Sequence, residues 1–213
     1  MGKNQRKERE MANAREAIIE AAARAFARHG FHGTTIEQLA REAGYSASSL
    51  YTYFKGKDEI YAALQETVAT KFETLRTGPT LPSLGFFEHF EWLIRRLFEI
   101  VEENRDFFIM FASQRGGIEW VQDQDSDVIT RTNYLNWIGF FSEFFADGIE
   151  RNEVRACDPR DLAYFAVGAI NATIFRWVAG DMPTPLQDHV PSLLEFLVSG
   201  LRHSAVETLG SVD

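Results

Sequence analysis

The sequence predicts an all-α fold, with an N-terminal three-helix unit that contains a helix-turn-helix and a larger helical bundle behind it. Three observations lead there. Apolar residues recur at three- and four-residue spacing along most of the 213 residues, the pattern of amphipathic helices. No run of residues shows the two-residue alternation of a half-buried strand. Between Gly30 and Gly56 the chain is punctuated by Gly and by Ser or Thr at intervals that leave room for short helices only.

The first helix is read from Ala14 to His29, where Ile18, Ala22, Ala25 and Phe26 share one face and Gly30 stands at the C-terminal end. In FHGTT, Gly33 supplies a turn and Thr34 or Thr35 an N-cap. Glu37 and Gln38 each lie three residues after one of these, as a capping box requires. The second helix then spans about Ile36 to Ala43. Gly44 stops it, and Ser46 caps a third helix through Phe54. A fourth helix over 57–76 carries Ile60, Leu64 and Val68, and TGPTLPSLG at 77–85 ends it. Five further helices are expected at 86–103, 105–115, about 127–151, 159–179 and about 190–207. Between them lie breaks at Gly116 and Gly117 with the acidic DQDSD, at ACDP, and at GDMPTP. The domain division is placed at 1–57 for the arm and head and 58–213 for the bundle, with the fourth helix connecting them.

The net charge of −9 is unevenly distributed. Residues 1–57 hold ten Lys and Arg against six Asp and Glu, while the remainder is strongly acidic. A basic head on an acidic body fits a polyanion partner at one end of the chain. Within that head, Ile36, Leu39, Ala40 and Leu50 are placed to face inward, which leaves Ala47, Ser48, Ser49 and Thr52 outward. These short side chains let backbone approach base edges, with hydroxyls to donate or accept and methyls to touch thymine. Tyr51 and Tyr53 offer phenolic donors for phosphate oxygens, and Lys57 stands near the start of the fourth helix, where an anion is favoured. The N-terminal residues Lys3, Arg6, Lys7 and Arg9 read either as an arm for an adjacent minor groove or as a disordered tail with nonspecific phosphate contact.

The run TTIEQLAREAGYSASSLYTYFKGKDEI, residues 34–60, resembles the DNA-binding signature of the TetR family of transcriptional regulators, and the first helix fits the same pattern from about Ala14. The resemblance implies an all-α homodimer with a three-helix DNA-binding head and a C-terminal bundle for an inducer and the dimer contact. It implies that Thr35 caps the second helix near the phosphate backbone. Ser46, Ala47, Ser48, Ser49 and Thr52 would lie on the recognition helix, and Tyr51, Tyr53 and Lys57 on the DNA backbone. Tyr45 departs from the small aliphatic residue usual in the family, and is either an extra DNA contact or a packing residue.

The body is rich in rings: residues 81–200 hold 14 of the 18 Phe and all four Trp. Such a density favours an apolar or aromatic small-molecule effector in a cavity closed by a few polar groups. The candidate ligand contacts are Phe90, Phe111, Gln114, Asn133, Tyr134, Trp137, Phe141, Asn171 and Phe175; a filled core with no effector is the alternative. Small residues such as Ala163, Gly168 and Ala169 keep the helix at 159–179 slim, so that a partner helix can approach. The dimer surface is accordingly placed on Phe165, Ala169, Ile170, Ile174, Trp177, Leu194, Leu197 and Leu201, in a four-helix arrangement across a two-fold axis.

The expected partners are double-stranded operator DNA, the effector and a second copy, with no membrane and no cofactor. Cys157 is alone, His29, His32, His89, His189 and His203 are scattered, and DQDSD lacks the Gly and Glu of a calcium loop. A metal or catalytic role is therefore not expected. The N-terminus lacks the apolar core of a signal peptide, and a cytoplasmic location is expected.

Overall fold

Thr35 and Gln38 make the capping box that starts the second helix. The Thr35 side chain accepts from the Gln38 N–H at 3.3 Å, and the Thr35 N–H donates to Gln38 Oε1 at 2.7 Å. Its neighbour Thr34 is buried and donates to the Gly30 carbonyl at 2.8 Å. This corner belongs to a computed structural model that describes residues 3–77, 84–114, 128–180 and 182–201. The side chains of 3–4, 76–77, 112–114, 128–131 and 133 also lie outside the description. Most of the 77–85 connection, the DQDSD break and the tail beyond Leu201 fall outside the described residues.

Among the described residues there are nine α-helices and no strand. They are α1 Lys3–Gly33, α2 Ile36–Glu42, α3 Ala47–Leu50, α4 Lys57–Thr77, α5 Phe86–Glu103, α6 Arg105–Gln114, α7 Val128–Glu150, α8 Pro159–Ala179 and α9 Val190–Leu201, with a 3-10 turn at Leu186–His189 before the last. The helical extents expected from periodicity are reproduced to within a residue or two for α2 and for α4 to α8. Two differ. α1 runs back to Lys3, because KNQRKEREMAN contains good helix formers and no Gly or Pro, and an Arg6–Glu10 pair at 2.8 Å supports it. The expected arm is thus helical from Lys3 on, broken only at Gly30, whose φ of 71° and ψ of 164° leave the helix. α3 is a single turn ending at Leu50; the chain continues to Phe54 as non-helical turns, held by Thr52 N–H to Ser49 at 3.0 Å and Tyr53 N–H to Leu50 at 2.9 Å.

The described residues fall into two compact units, one within Met1–Thr74 and Ile100–Asp123, the other within Leu75–Glu99 and Gln124–Asp213. The division is therefore not at residue 57. Most of α4 and all of α6 join the head, because Ile60, Leu64, Val68 and Met110 are buried with Ile18, Phe26, Leu39, Leu50 and Phe54 in one apolar core. In the second unit α5 and α7 pack through rings: Phe86 lies 4.6 Å from Phe144, and Phe90 lies 5.5 Å from Phe145 and 6.3 Å from Phe141, centroid to centroid. α7 ends in a Schellman motif, with Asn152 at φ 57° and the Glu153 N–H donating back to Gly148 at 2.9 Å.

Candidate nucleic-acid interface

Gly44 sets the angle between α2 and α3. Its φ of 77° places it in the left-handed region, its N–H donates to Arg41 at 3.1 Å, and the Tyr45 N–H donates to Ala40 at 2.8 Å. A residue with a Cβ is strained in this conformation. Tyr45 then turns its ring onto Tyr53, 5.6 Å away and tilted 63°, and both pack against the head core. Tyr45 is a packing residue in this head.

Ser46 caps α3 by accepting the Ser49 N–H at 3.1 Å, and its Oγ lies 2.9 Å from Ser48 Oγ and 2.8 Å from Ser49 Oγ. Three hydroxyls are thus gathered at the start of α3 and exposed. Leu50 and Phe54 point inward and are buried, while Tyr51 is 55% exposed and Thr52 is exposed between them. Of the nine residues read as DNA contacts, Thr35, Ser46, Ser48, Ser49, Tyr51 and Thr52 are exposed, and Ala47, Tyr53 and Lys57 are half-buried.

Lys57 is placed differently from the expectation of a free phosphate contact. Its Nζ donates to the Phe31 carbonyl at 2.7 Å and the Thr34 carbonyl at 2.9 Å, and it sits 4.4 Å from the centre of the Phe31 ring. Two of its three donors cap the corner between α1 and α2; the third is left for another acceptor. Sequence reasoning missed Arg15. Its guanidinium donates to the Tyr53 carbonyl, stacks 4.0 Å over Phe54, and lies 3.8 Å from Glu59 Oε1. The only signal for it was a cation on the first helix beside the apolar face.

The candidate ligand residues differ in burial and in the unit they belong to. Phe90 and Phe141 are 0% and 1% exposed and pack against other rings, while Tyr134, Trp137, Asn171 and Phe175 are half-buried. Phe111 belongs to the first unit and the others with described side chains to the second. The side chains of Gln114 and Asn133 lie outside the described residues. Burial also raises the Tyr134 phenol above its ordinary pKa, with Tyr164 adding to the shift.

The dimer residues divide as well. Ile170, Ile174, Trp177, Leu197 and Leu201 are buried within the protomer, so they belong to its own core. Phe165 is 67% exposed, and Ala169 and Leu194 are half-buried. Two exposed rings were missed, Tyr164 and Phe196, the latter 70% exposed. Phe165, Phe196, Leu162, Ala166 and Leu197 line a groove of about 330 Å³ formed by α8 and α9 with Phe145 and Arg155. α8 is long and apolar enough to cross a membrane by length and composition, a property it shares with core helices of soluble proteins. Among the described residues no three His, Cys, Asp or Glu side chains gather as a metal site would need.

Residues 18–64 match the family model described as bacterial regulatory proteins, tetR family. The chain is 26% identical over 188 residues to the uncharacterized HTH-type transcriptional regulator YhgD of Bacillus subtilis, spanning 88% of this chain and 96% of that one. It is 25% identical over 187 residues to the fatty acid metabolism regulator protein of the same organism, spanning 87% and 94%. The fold is shared with the transcriptional regulator FadR from Bacillus subtilis in complex with stearoyl-CoA, at a TM-score of 0.68 and 23% identity over 88% of this chain and 99% of that one. With the matched model lying on α1 to α4 and the capped, exposed turn between them, residues 18–64 form a DNA-binding region of the tetR family of bacterial regulatory proteins.

Proposed function

We propose that the protein is a cytoplasmic, dimeric repressor that binds operator DNA through Ser46–Tyr53 and is released by an apolar small molecule. The observation that carries this reading is the composition of that segment: Ser46, Ser48, Ser49, Tyr51 and Thr52 are exposed donors and acceptors on a segment fixed by the buried Leu50 and Phe54. Ser48, Ser49 and Thr52 read bases, and Tyr51, Tyr53 and the free donor of Lys57 hold phosphates. No Lys or Arg lies between Gly44 and Phe54. One head alone therefore binds weakly, and two heads spaced by a helical turn or a multiple of it supply the affinity.

The second copy docks on the face that carries Phe165 and Phe196, two rings whose exposure is hard to reconcile with a permanently free surface. The effector is a long acyl chain, as thioester or free acid. Support comes from the relationship to a fatty acid metabolism regulator and from the ring-rich second unit, which offers an acyl chain apolar surroundings. The stacking of Phe86, Phe90, Phe141, Phe144 and Phe145 also favours a second reading, a closed core with no effector. Effector binding must favour a dimer whose two reading segments no longer match successive grooves, because equal affinity for both states shifts nothing.

The test is to recover duplexes bound by the purified protein from sheared genomic DNA, then titrate the complexes with acyl-CoA thioesters of increasing chain length. Release that strengthens with chain length supports the acyl effector. Specific binding with no release by any chain length leaves the closed-core regulator. Absence of any selected duplex overturns the assignment of Ser46–Tyr53.

A further inference from the structure

Beyond Leu50 the chain turns tightly, with the Thr52 N–H donating to Ser49 and the Tyr53 and Phe54 N–H groups donating to Leu50, and its far side leaves the Tyr53 carbonyl and the Lys55 N–H to be met from elsewhere. That side is gripped from two helices. From α1, the Arg15 guanidinium donates to the Tyr53 carbonyl and lies over the Phe54 ring. From α4, Glu59 Oε2 accepts the Lys55 N–H at 2.7 Å while its Oε1 faces Arg15 at 3.8 Å. One planar cation and one carboxylate therefore bracket residues 53–55, each satisfying a backbone group that lies outside α3 and α4.

We propose that Arg15, oriented by Glu59, is a positioning residue for DNA binding that sets the pose of Tyr51 and Tyr53 on the phosphates without itself touching DNA. A guanidinium can hold a carbonyl, a ring face and a carboxylate at once, because its donors spread in one plane while its faces stay free to stack; an ammonium here would offer a point charge without that planar face. The inference rests on the phosphate role given to Tyr51 above.

The experiment measures binding of a duplex selected by the wild-type protein, across a salt series, for Arg15→Lys, Tyr51→Phe and the double variant. Thermal unfolding and far-ultraviolet circular dichroism check the fold. Arg15→Lys keeps the charge. It is expected to weaken binding about tenfold, the scale of one charge-assisted hydrogen bond, with the salt slope unchanged. Tyr51→Phe is expected to cost much less in the Arg15→Lys background than alone, a non-additivity that a role in stability only would not produce. Wild-type affinity in Arg15→Lys, or strict additivity with Tyr51→Phe, overturns the proposal; so does a salt slope lowered by about one in Arg15→Met, which would make Arg15 a direct phosphate contact. If Arg15→Lys does not fold, Glu59→Gln is read by the same cycle and the same criteria. If Tyr51→Phe alone binds as wild type, the phosphate role of Tyr51 falls. Arg15 is then judged by amide hydrogen exchange at residues 52–54, where unchanged rates in Arg15→Lys overturn the bracket.

Discussion

At Lys57 a single ammonium group closes the corner between α1 and α2 by donating to Phe31 and Thr34, and it keeps one proton free. Replacing it acts on the fold as well as on DNA. Lys57→Ala is expected to lower unfolding free energy by about 1–3 kcal/mol, because two carbonyls lose a charged donor, and to reduce the salt slope of DNA binding by roughly one. Urea unfolding beside a salt titration separates the two effects; an unchanged unfolding midpoint would remove the capping role. His89 offers a pH handle in the second unit. Partial burial lowers its pKa below 6.5, Arg151 lowers it further, and Asp147 opposes them. The unfolded chain thus takes up this proton at higher pH than the folded one. The contribution is intact above about pH 6.5 and is lost as pH falls from there through the folded value. His89→Phe, which keeps a ring against Phe144, should flatten the acid side of the stability profile relative to wild type, and an identical profile would assign the slope to other groups. At this scale the sequence was legible where partners are local. Thr35 with Gln38, and Ser46 with Ser49, are three residues apart and follow from capping rules. Lys57 with Phe31, and Arg15 with Tyr53, are 26 and 38 residues apart, and no spacing rule reaches that far.

At the scale of the helices, α7 passes close to Phe86 of α5 at Gly148. A Cβ built there would lie 2.5 Å from Phe86 and 2.9 Å from Val154. Phe86 is 1% exposed and has Phe144 and Phe145 beside it, so it has little room to yield. Gly148→Ala is expected to destabilise by about 1–3 kcal/mol through overpacking, read as a lower denaturant midpoint with an unchanged slope. A midpoint equal to that of the wild type would mean that the ring moves aside freely. Helical extent was legible for most elements because periodicity and caps are local properties. Helical facing was not. α8 carries apolar residues around most of its circumference, so Ile170, Ile174 and Trp177 looked as suited to a partner as Phe165, and only packing against the rest of the second unit separates them. α3 was read too long for a related reason. Tyr51, Thr52 and Tyr53 are compatible with helix, yet Phe54 must reach the core within a few residues, and a tighter turn brings it there.

For the molecule as a whole, the proposed function makes association the condition for the head to bind. A monomer would leave Phe165 and Phe196 in water on either side of an apolar groove. The double substitution Phe165→Glu and Phe196→Glu is expected to yield a folded monomer by sedimentation and to cost at least about a hundredfold in operator affinity, the loss of bivalency. A double variant that stays dimeric would place the interface elsewhere. The acidic remainder of the chain makes that bivalency more necessary, since it contributes repulsion from DNA.

The division of labour around α3 has a consequence for how such a regulator changes its targets. Leu50 and Phe54 anchor the segment from below and Arg15 braces it at the Tyr53 carbonyl, while Ser48, Ser49 and Thr52 are exposed and lie outside the buried core of the head. Those three positions can be exchanged with little cost to folding. With the base-reading role proposed for those positions, a duplicated copy of this protein could acquire a new operator by point substitution there without disturbing the rest of the molecule, and a library randomised at only those positions is the economical place to retarget it.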